Sequence, residues 1–264
     1  MTSVTATAEL HERLQRYYTA YYRDTLGLRD WRTHVDLRDS EERQEPRHLA
    51  RLSALLGAEA LRGCVLNVGC GTGGFNVAAA AAGVRVVGVD DDAEAMAICA
   101  LRERRGFARA AAEALPFRDG VFDVVYCYSV IEHVASVDAT IREMVRVARP
   151  GGAIYLHTPN AWSFYEGHYK LFWAPFLPRP LGRFYLRLRG RPVGYLATLR
   201  RLTPGAVVRA FQVAGVTALT FHRDDRPRET LGGLRALTGA YYRLSGIAPF
   251  IEVVARKPAT ARVR

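Results

Sequence analysis

The run VLNVGCGTGGF (65–75) constrains the fold of this chain more than any other segment. An apolar stretch of strand length, CVLNV (64–68), meets Gly69, Gly71, Gly73 and Gly74, and the Ala-rich residues 74–82 behind them read as a helix. Glycine permits a sharp turn and lets the main chain approach a ligand closely. The free N–H groups at the start of the following helix then face that ligand. Asp90 closes the next apolar run, VRVVGV (84–89), 21 residues after Gly69. An acid at that place accepts hydrogen bonds from both hydroxyls of an adenosine ribose. Gly69, Gly71 and Gly74 also satisfy the dinucleotide pattern G-x-G-x-x-G, so the turn alone predicts an adenosine cofactor without choosing which.

Strands and helices alternate around this turn. AEAMAICALRER (93–104) reads as a helix, a weak strand falls near 107–111, and VFDVVYCY (121–128) is a strand. DATIREMVRVA (138–148) is a helix stopped by Pro150–Gly152, and AIYLHT (153–158) is a strand. Such alternation predicts a parallel sheet covered on both faces. The rhythm breaks after Thr158 and resumes at TPGAVVRAFQVAG (203–215), which opens with an N-cap Thr and a first-turn Pro and ends at Gly215. VTALTFH (216–222) and FIEVVARK (250–257) are strand-like, with a helix between them.

Before the turn, ELHERLQRYYTAYY (9–22) and EERQEPRHLARLSALL (41–56) read as helices. The first places Tyr17, Tyr18, Tyr21 and Tyr22 on one face, either as a packing stripe or as a lid over a ligand. The chain thus divides into N-terminal lid helices (1–62), a cofactor-binding core (63–158), an insertion (159–202), the remainder of the core (203–257) and a basic tail (258–264). Four cysteines without a CxxC pair suit reduced thiols, a cytoplasmic location and no zinc ribbon. MTSVTATAELHERL lacks the apolar stretch of a signal peptide, and no 18-residue apolar run is present to span a membrane.

The blocks beyond the turn select the cofactor. AAAEALPFRDGVFDVVYCYSVIEHV (110–134), followed by REMVRVARPGGAIYLHTPN (142–160), resembles the class I S-adenosylmethionine-dependent methyltransferases. Within them it is similar to the methyltransferase type 11, ubiquinone-methyltransferase-like branch, over residues 63–160. The resemblance implies an α/β fold: a Rossmann-like seven-stranded sheet with its last strand antiparallel, helices on both faces and an α-helical, aromatic cap inserted after strand 5. It implies S-adenosyl-L-methionine as cofactor and S-adenosyl-L-homocysteine as product, bound where the strand order reverses.

Carried onto this sequence, the resemblance places Gly69, Cys70 and Gly71 beneath the methionine part. Asp90 is placed on the ribose, Asp91 beside the adenine, the Ala112 N–H at the adenine edge with Glu113 next to it, and Tyr128 beside the methionine portion. Two positions depart from the family pattern, which often has acids where Asn67 and Ala111 stand. Asn67 still accepts a hydrogen bond, whereas Ala111 cannot, which predicts cofactor binding weaker by about 1 kcal/mol.

A sulfonium is already electrophilic, so a methyltransferase chiefly aligns the nucleophile. A hydroxyl acceptor also needs its proton removed, commonly by histidine. His133, in SVIEHV, is the first candidate base, against the alternative of a structural hydrogen bond that starts the next helix. His168, in YEGHYK, is the second. His157, inside a strand, reads as buried. Ubiquinone-type relatives carry a second Glu three residues before the Glu-His pair, where this chain has Ser129. Glu132 and His133 alone make a poor cation site, so no metal is expected.

The insertion holds ten large aromatics, and eight basic residues face one acid, Glu166. It therefore supplies most of the net charge of +11. The bases of the whole chain are 35 arginines and two lysines, a bias that a GC-rich genome also produces. Four readings fit the insertion: a pocket for an anionic, partly apolar molecule, a membrane-surface patch, a nucleic-acid surface, or a cap with its own small core and solvated arginines. Tyr22, Trp162, Tyr165, His168 and Tyr169 are the candidate substrate contacts.

A TPN turn followed by EGHY resembles bacterial methyltransferases of saccharides and specialised metabolites. The sequence thus predicts a small-molecule methyltransferase, most simply O-directed, acting on a saccharide, nucleoside or natural-product hydroxyl that is anionic or lipid-linked. The alternatives are an RNA methyltransferase or RNA-binding protein, an N- or C-methyltransferase, and a cofactor binder without transfer. No stable nucleic-acid partner is expected. Peripheral membrane contact and a homodimer remain open.

Overall fold

In the computed structural model, which describes residues 2–39, 41–102, 106–223 and 235–259, three helices precede the first strand: α1 (Thr2–Thr19), α2 (Trp31–Asp39) and α3 (Glu41–Leu56). The core follows as β1 (Cys64–Val68), α4 (Gly74–Ala81), β2 (Arg85–Asp90), α5 (Ala93–Leu101), β3 (Phe107–Arg109), β4 (Phe122–Tyr128), α6 (Val137–Val147) and β5 (Ala148–Pro159). The insertion contributes β6 (Tyr165–Glu166), β7 (Leu171–Phe172), α7 (Arg179–Leu188) and α8 (Gly194–Thr198). The chain then runs through α9 (Pro204–Val213), β8 (Ala218–His222), α10 (Arg235–Ser245) and β9 (Phe250–Arg256).

Seven strands form one sheet in the order β3-β2-β1-β4-β5-β9-β8. The pairs from β3 to β5 are parallel, and β9 runs antiparallel to both β5 and β8. This is the sheet that the resemblance implies. From β1 the order proceeds to β2 on one side and to β4 on the other, which opens a crevice above the carboxyl ends of these strands.

Side-chain alternation along the strands builds a core on each face. Leu66 and Val68 of β1 join Val125, Cys127 and Ile154 under α6 and α9, where Ile141, Met144, Val207 and Phe211 are buried. Val65 points the other way, with Val124, Tyr126 and Tyr155, against Leu52 and Leu56 of α3 and Phe75 of α4. Helix starts are fixed locally. The Asp92 carboxylate accepts from Glu94 N and Ala95 N at α5, the Ser136 hydroxyl from Ala139 N at α6 and the Thr203 hydroxyl from Ala206 N at α9.

A third core joins the two non-sheet segments. Leu14, Tyr18, Tyr22, Leu26 and Val35 of the N-terminal helices pack with Tyr169, Leu171, Trp173, Leu186 and Leu196 of the insertion. Both segments therefore meet over the crevice.

Three local differences from the sequence reading stand out. Helix α1 continues into a π-helical stretch, Ala20–Thr25, before the chain turns into α2. Helix α2 buries only sparse apolar residues, such as Val35, and gives too weak a periodic signal to be predicted. The insertion opens with a two-stranded hairpin, β6–β7, in place of a helix. Its turn is held by Glu166, which accepts from Tyr169 N at 2.6 Å.

Candidate active site

The glycine turn forms the floor of the crevice. Gly69 has φ +71°, and a Cβ there would stand 2.2 Å from a Val130 methyl. Gly71 has φ +51°, and nothing lies within 4 Å of where its Cβ would be. The main chain at Gly71 therefore borders open space. Asp90 holds the turn in this shape: its carboxylate accepts from Gly71 N at 2.7 Å and from Asp92 N at 3.0 Å. Burial pushes this carboxyl above its ordinary range despite the two N–H donors.

Above the turn lie two communicating chambers. One, of about 930 Å³, is lined by Asp90, Asp91, Ala111, Ala112, His133 and Tyr195. The other, of about 590 Å³, is lined by Tyr22, Arg38, His48, Asn67, Cys70 and Tyr128. Tyr17, Tyr21, Gly69, Gly71, Ser129 and Val130 border both. Ser129 has φ +53°, an uncommon conformation for a residue with a side chain, at the point where β4 ends.

The tyrosines of α1 and its π-helical extension roof the chambers. Tyr17 OH donates to Asp92 at 2.9 Å, Tyr18 OH pairs with the Thr72 hydroxyl at 2.8 Å, and Tyr21 OH pairs with Tyr195 OH at 2.9 Å. Burial raises the pKa of the Tyr17, Tyr21 and Tyr195 phenols, so they stay protonated and serve as hydrogen-bonding groups.

The predicted cofactor residues converge on these chambers. Asn67 is buried and donates its amide to Asn76 at 2.7 Å. Cys70 is buried beside Cys99, and that neighbour together with burial raises its thiol pKa. Glu113 lines the larger chamber while its carboxylate accepts from Ala135 N and Ser136 N, at 2.6 and 3.1 Å, holding the approach to α6. The Tyr128 ring stacks on His157 at 4.3 Å and lies 4.5 Å from His48.

The predicted substrate residues disperse. Tyr22 lines the smaller chamber and accepts a hydrogen bond from Arg38 at 3.0 Å. Tyr165 and His168 line a tighter cavity of about 60 Å³. Trp162 borders a separate cavity near Phe250. Tyr169 is fully buried, donating to Pro192 O and accepting from Leu196 N, so it belongs to the core of the insertion. Tyr195 and Arg200, absent from the predicted set, do reach the larger chamber. The Arg200 guanidinium donates to Val134 O and Ala135 O and so fastens the end of the insertion to the Glu132–His133 turn.

At that turn the structure joins residues far apart in sequence. Glu132 Oε1 is buried without a hydrogen-bond partner, 3.9 Å from His133 Nε2 and 3.8 Å from His168 Nε2. Its other oxygen accepts from the Thr158 hydroxyl at 2.9 Å. Burial pushes Glu132 up to about 7. Glu166 sits 2.8 Å from His168 Nδ1, so that nitrogen carries the proton and Nε2 faces Glu132. Burial opposes charge on His168, but Glu166 and Glu132 outweigh it and raise its pKa. Burial and the neighbouring His168 instead push His133 down to about 4. His133 therefore stays neutral at physiological pH, with its side chain 30% exposed at the chamber wall.

The sheet order and the crevice over its glycine turn define a class I, Rossmann-like methyltransferase fold. Residues 66–156 match the family described as a methyltransferase domain, and S-adenosylmethionine is the cofactor of that domain. An uncharacterized methyltransferase of Mycobacterium leprae is 41% identical over 115 residues, covering 42% of this chain and 43% of that protein. A ubiquinone biosynthesis O-methyltransferase of Pseudomonas paraeruginosa is 36% identical over 105 residues, covering 36% of this chain and 44% of that protein. The chain thus spans less than half the length of these relatives. Among solved structures, phosphoethanolamine N-methyltransferase 2 of Haemonchus contortus, in complex with phosphomonomethylethanolamine and S-adenosylhomocysteine, shares the fold. The TM-score is 0.55 at 17% identity, covering 81% of this chain and 52% of that one.

The residues present fit the cofactor. Gly71 leaves the space that a Cβ would fill, Asp90 and Asp91 line the larger chamber at the end of β2, and Ala112 lines its wall.

Proposed function

We propose that this protein transfers a methyl group to a hydroxyl of an anionic small molecule, with His133 as general base. The observation that carries this reading is the partly exposed His133 imidazole at the chamber wall, its Nε2 3.9 Å from the buried Glu132 carboxyl. When bound, S-adenosylmethionine supplies an electrophilic methyl group. The rest falls to the protein. Asp90, Asn67 and the main chain at Gly69 and Gly71 hold the cofactor, with Asp91, Ala112 and Glu113 toward the adenine and Tyr128 toward the methionine part. The tyrosine roof excludes water. Arg179 and Arg200, both lining the larger chamber, offer charge to an anionic acceptor. His133 takes the hydroxyl proton, and the adjacent Glu132 steadies the imidazolium that forms.

His133→Ala is expected to slow transfer about 100-fold while leaving S-adenosylhomocysteine binding intact. A rate within a few-fold of the unaltered protein would reject the role. The pH profile should fall in two steps as pH drops: a partial one near 7, where Glu132 gains a proton and no longer steadies the imidazolium, and a complete one toward about 4, where His133 gains a proton.

A second reading rests on His168. The expected absence of metal counted two ligands, Glu132 and His133. The fold supplies a third, and the ligand atoms of all three lie within 4.8 Å of one another. Nitrogen and carboxylate donors in this number suit zinc with an open position. Treatment with a chelator decides: unchanged transfer supports the general base, and loss restored by zinc supports a metal-held acceptor.

A further inference from the structure

The outer face of α7 is both apolar and basic. This helix carries three lengthwise stripes. Gly182 and Leu186 face inward and are buried, and Tyr185 packs 6.0 Å from Trp173. Leu181, Phe184 and Leu188, spaced by three and four residues, form an outward apolar ridge, 55%, 58% and 69% exposed. Arg179, Arg183 and Arg187, each one helical turn apart, form a basic ridge beside it. Phe176 lies three residues before α7. It is 58% exposed and held outward with φ +58°, a conformation that bulky residues rarely adopt. Arg183 and Arg187 make no ion pair with any described residue, and no acid occurs between Glu166 and Arg201.

We propose that this face docks the protein on an anionic lipid bilayer. Charge complementarity selects that occupant. A second copy of the chain would bring the same arginines against themselves. A nucleic acid would pair with the basic ridge and leave the apolar ridge uncovered. A bilayer surface satisfies both, taking Phe176, Leu181, Phe184 and Leu188 into the acyl boundary while the arginines meet lipid phosphates.

Arg179 belongs to both places: it begins α7 and lines the larger chamber. The docked face therefore abuts the proposed acceptor site, which points to an acceptor with a negatively charged head and a lipid tail. This substrate class rests on the methyl-transfer proposal; the docking does not.

The test is co-sedimentation of the full chain with vesicles of phosphatidylglycerol and phosphatidylcholine, or of phosphatidylcholine alone. Binding to the anionic vesicles is expected to be about tenfold tighter or more. Arg183→Gln with Arg187→Gln should weaken it about fivefold per residue. Phe184→Asp with Leu188→Asp should abolish it. These side chains point outward, so melting temperature and S-adenosylhomocysteine binding should not change, which separates lost docking from misfolding. Absence of vesicle binding, or equal binding by all variants, would overturn the proposal. So would a dimer that the same apolar substitutions dissolve, or steeply salt-dependent RNA binding in place of vesicle binding. Methylation of a tail-free acceptor without vesicle binding removes the docking alone. Vesicle binding without any transfer removes the enzymatic reading alone.

Discussion

At Gly69 the obstacle to a side chain is the protein itself; at Gly71 no protein atom stands in the way, and the obstacle would be the cofactor proposed to lie there. The two positions share positive φ but differ in surroundings, so substitutions there should separate folding from binding. Gly69→Ala places a methyl against Val130 and is expected to cost about 3 kcal/mol, adding backbone strain to overpacking. Gly71→Ala meets no protein atom and should cost only about 1 kcal/mol, the penalty of a left-handed alanine, yet it should impair S-adenosylhomocysteine binding at least as much. Thermal melting and calorimetric titration of both variants check this. Equal loss of stability in the two would show that Gly71 is structural. The histidines carry a similar contrast. His133 and His168 have rings 5.0 Å apart, but burial pushes the pKa of one down while two carboxylates outweigh burial at the other and raise its pKa.

Helix α3 is bound to the sheet through one buried acid. Glu252 of β9 is 1% exposed and accepts from Arg51 at 2.6 and 3.0 Å and from Tyr155 OH at 2.8 Å. Burial alone would raise its pKa, but these donors outweigh it and hold the carboxyl below its ordinary range. A depressed carboxyl contributes stability that is complete above its unfolded pKa of about 4.3 and is lost as pH falls through the lower folded value. Arg51→Ala should therefore cost about 3 kcal/mol at neutral pH, toward the low end for a broken buried pair because Arg51 is partly exposed. The cost should shrink in acid, and pH-dependent urea unfolding would reveal a constant difference if the pair were idle.

Elements of this kind differ in how much the sequence discloses. The buried runs of β1 and β4, the Asp90 end of β2 and the Thr203–Pro204 start of α9 were all legible, because periodicity and capping are local. Helix α2 and the β6–β7 hairpin were not, since neither has the length or pattern that identifies an isolated element. The meeting of His168 with Glu132, and of Tyr195 with Tyr21, depends on how an aperiodic insertion folds back over the sheet. No local spacing encodes that. The aromatic residues singled out in the insertion divided accordingly: Tyr169 went to the core and Trp162 to another cavity, while Tyr165 and His168 stayed near the Glu132 turn.

Over the whole molecule, the surplus of arginine acquires a direction. Among the described residues no helix is long and apolar enough to cross a membrane. The basic ridge of α7 lies on the insertion, and the insertion shares a core with the N-terminal helices, so roof and cap form one layer over the crevice. The two ends of the insertion meet side by side where they join the core. Asn160 bridges to Leu202, and Ala161 N donates to Leu202 O at 2.8 Å. The insertion thus leaves and rejoins the core through a single doorway. A segment attached in this way is an interchangeable cassette: another stretch with the same two ends could replace it, altering what the protein acts upon and where it settles, while the nucleoside-holding half kept its shape.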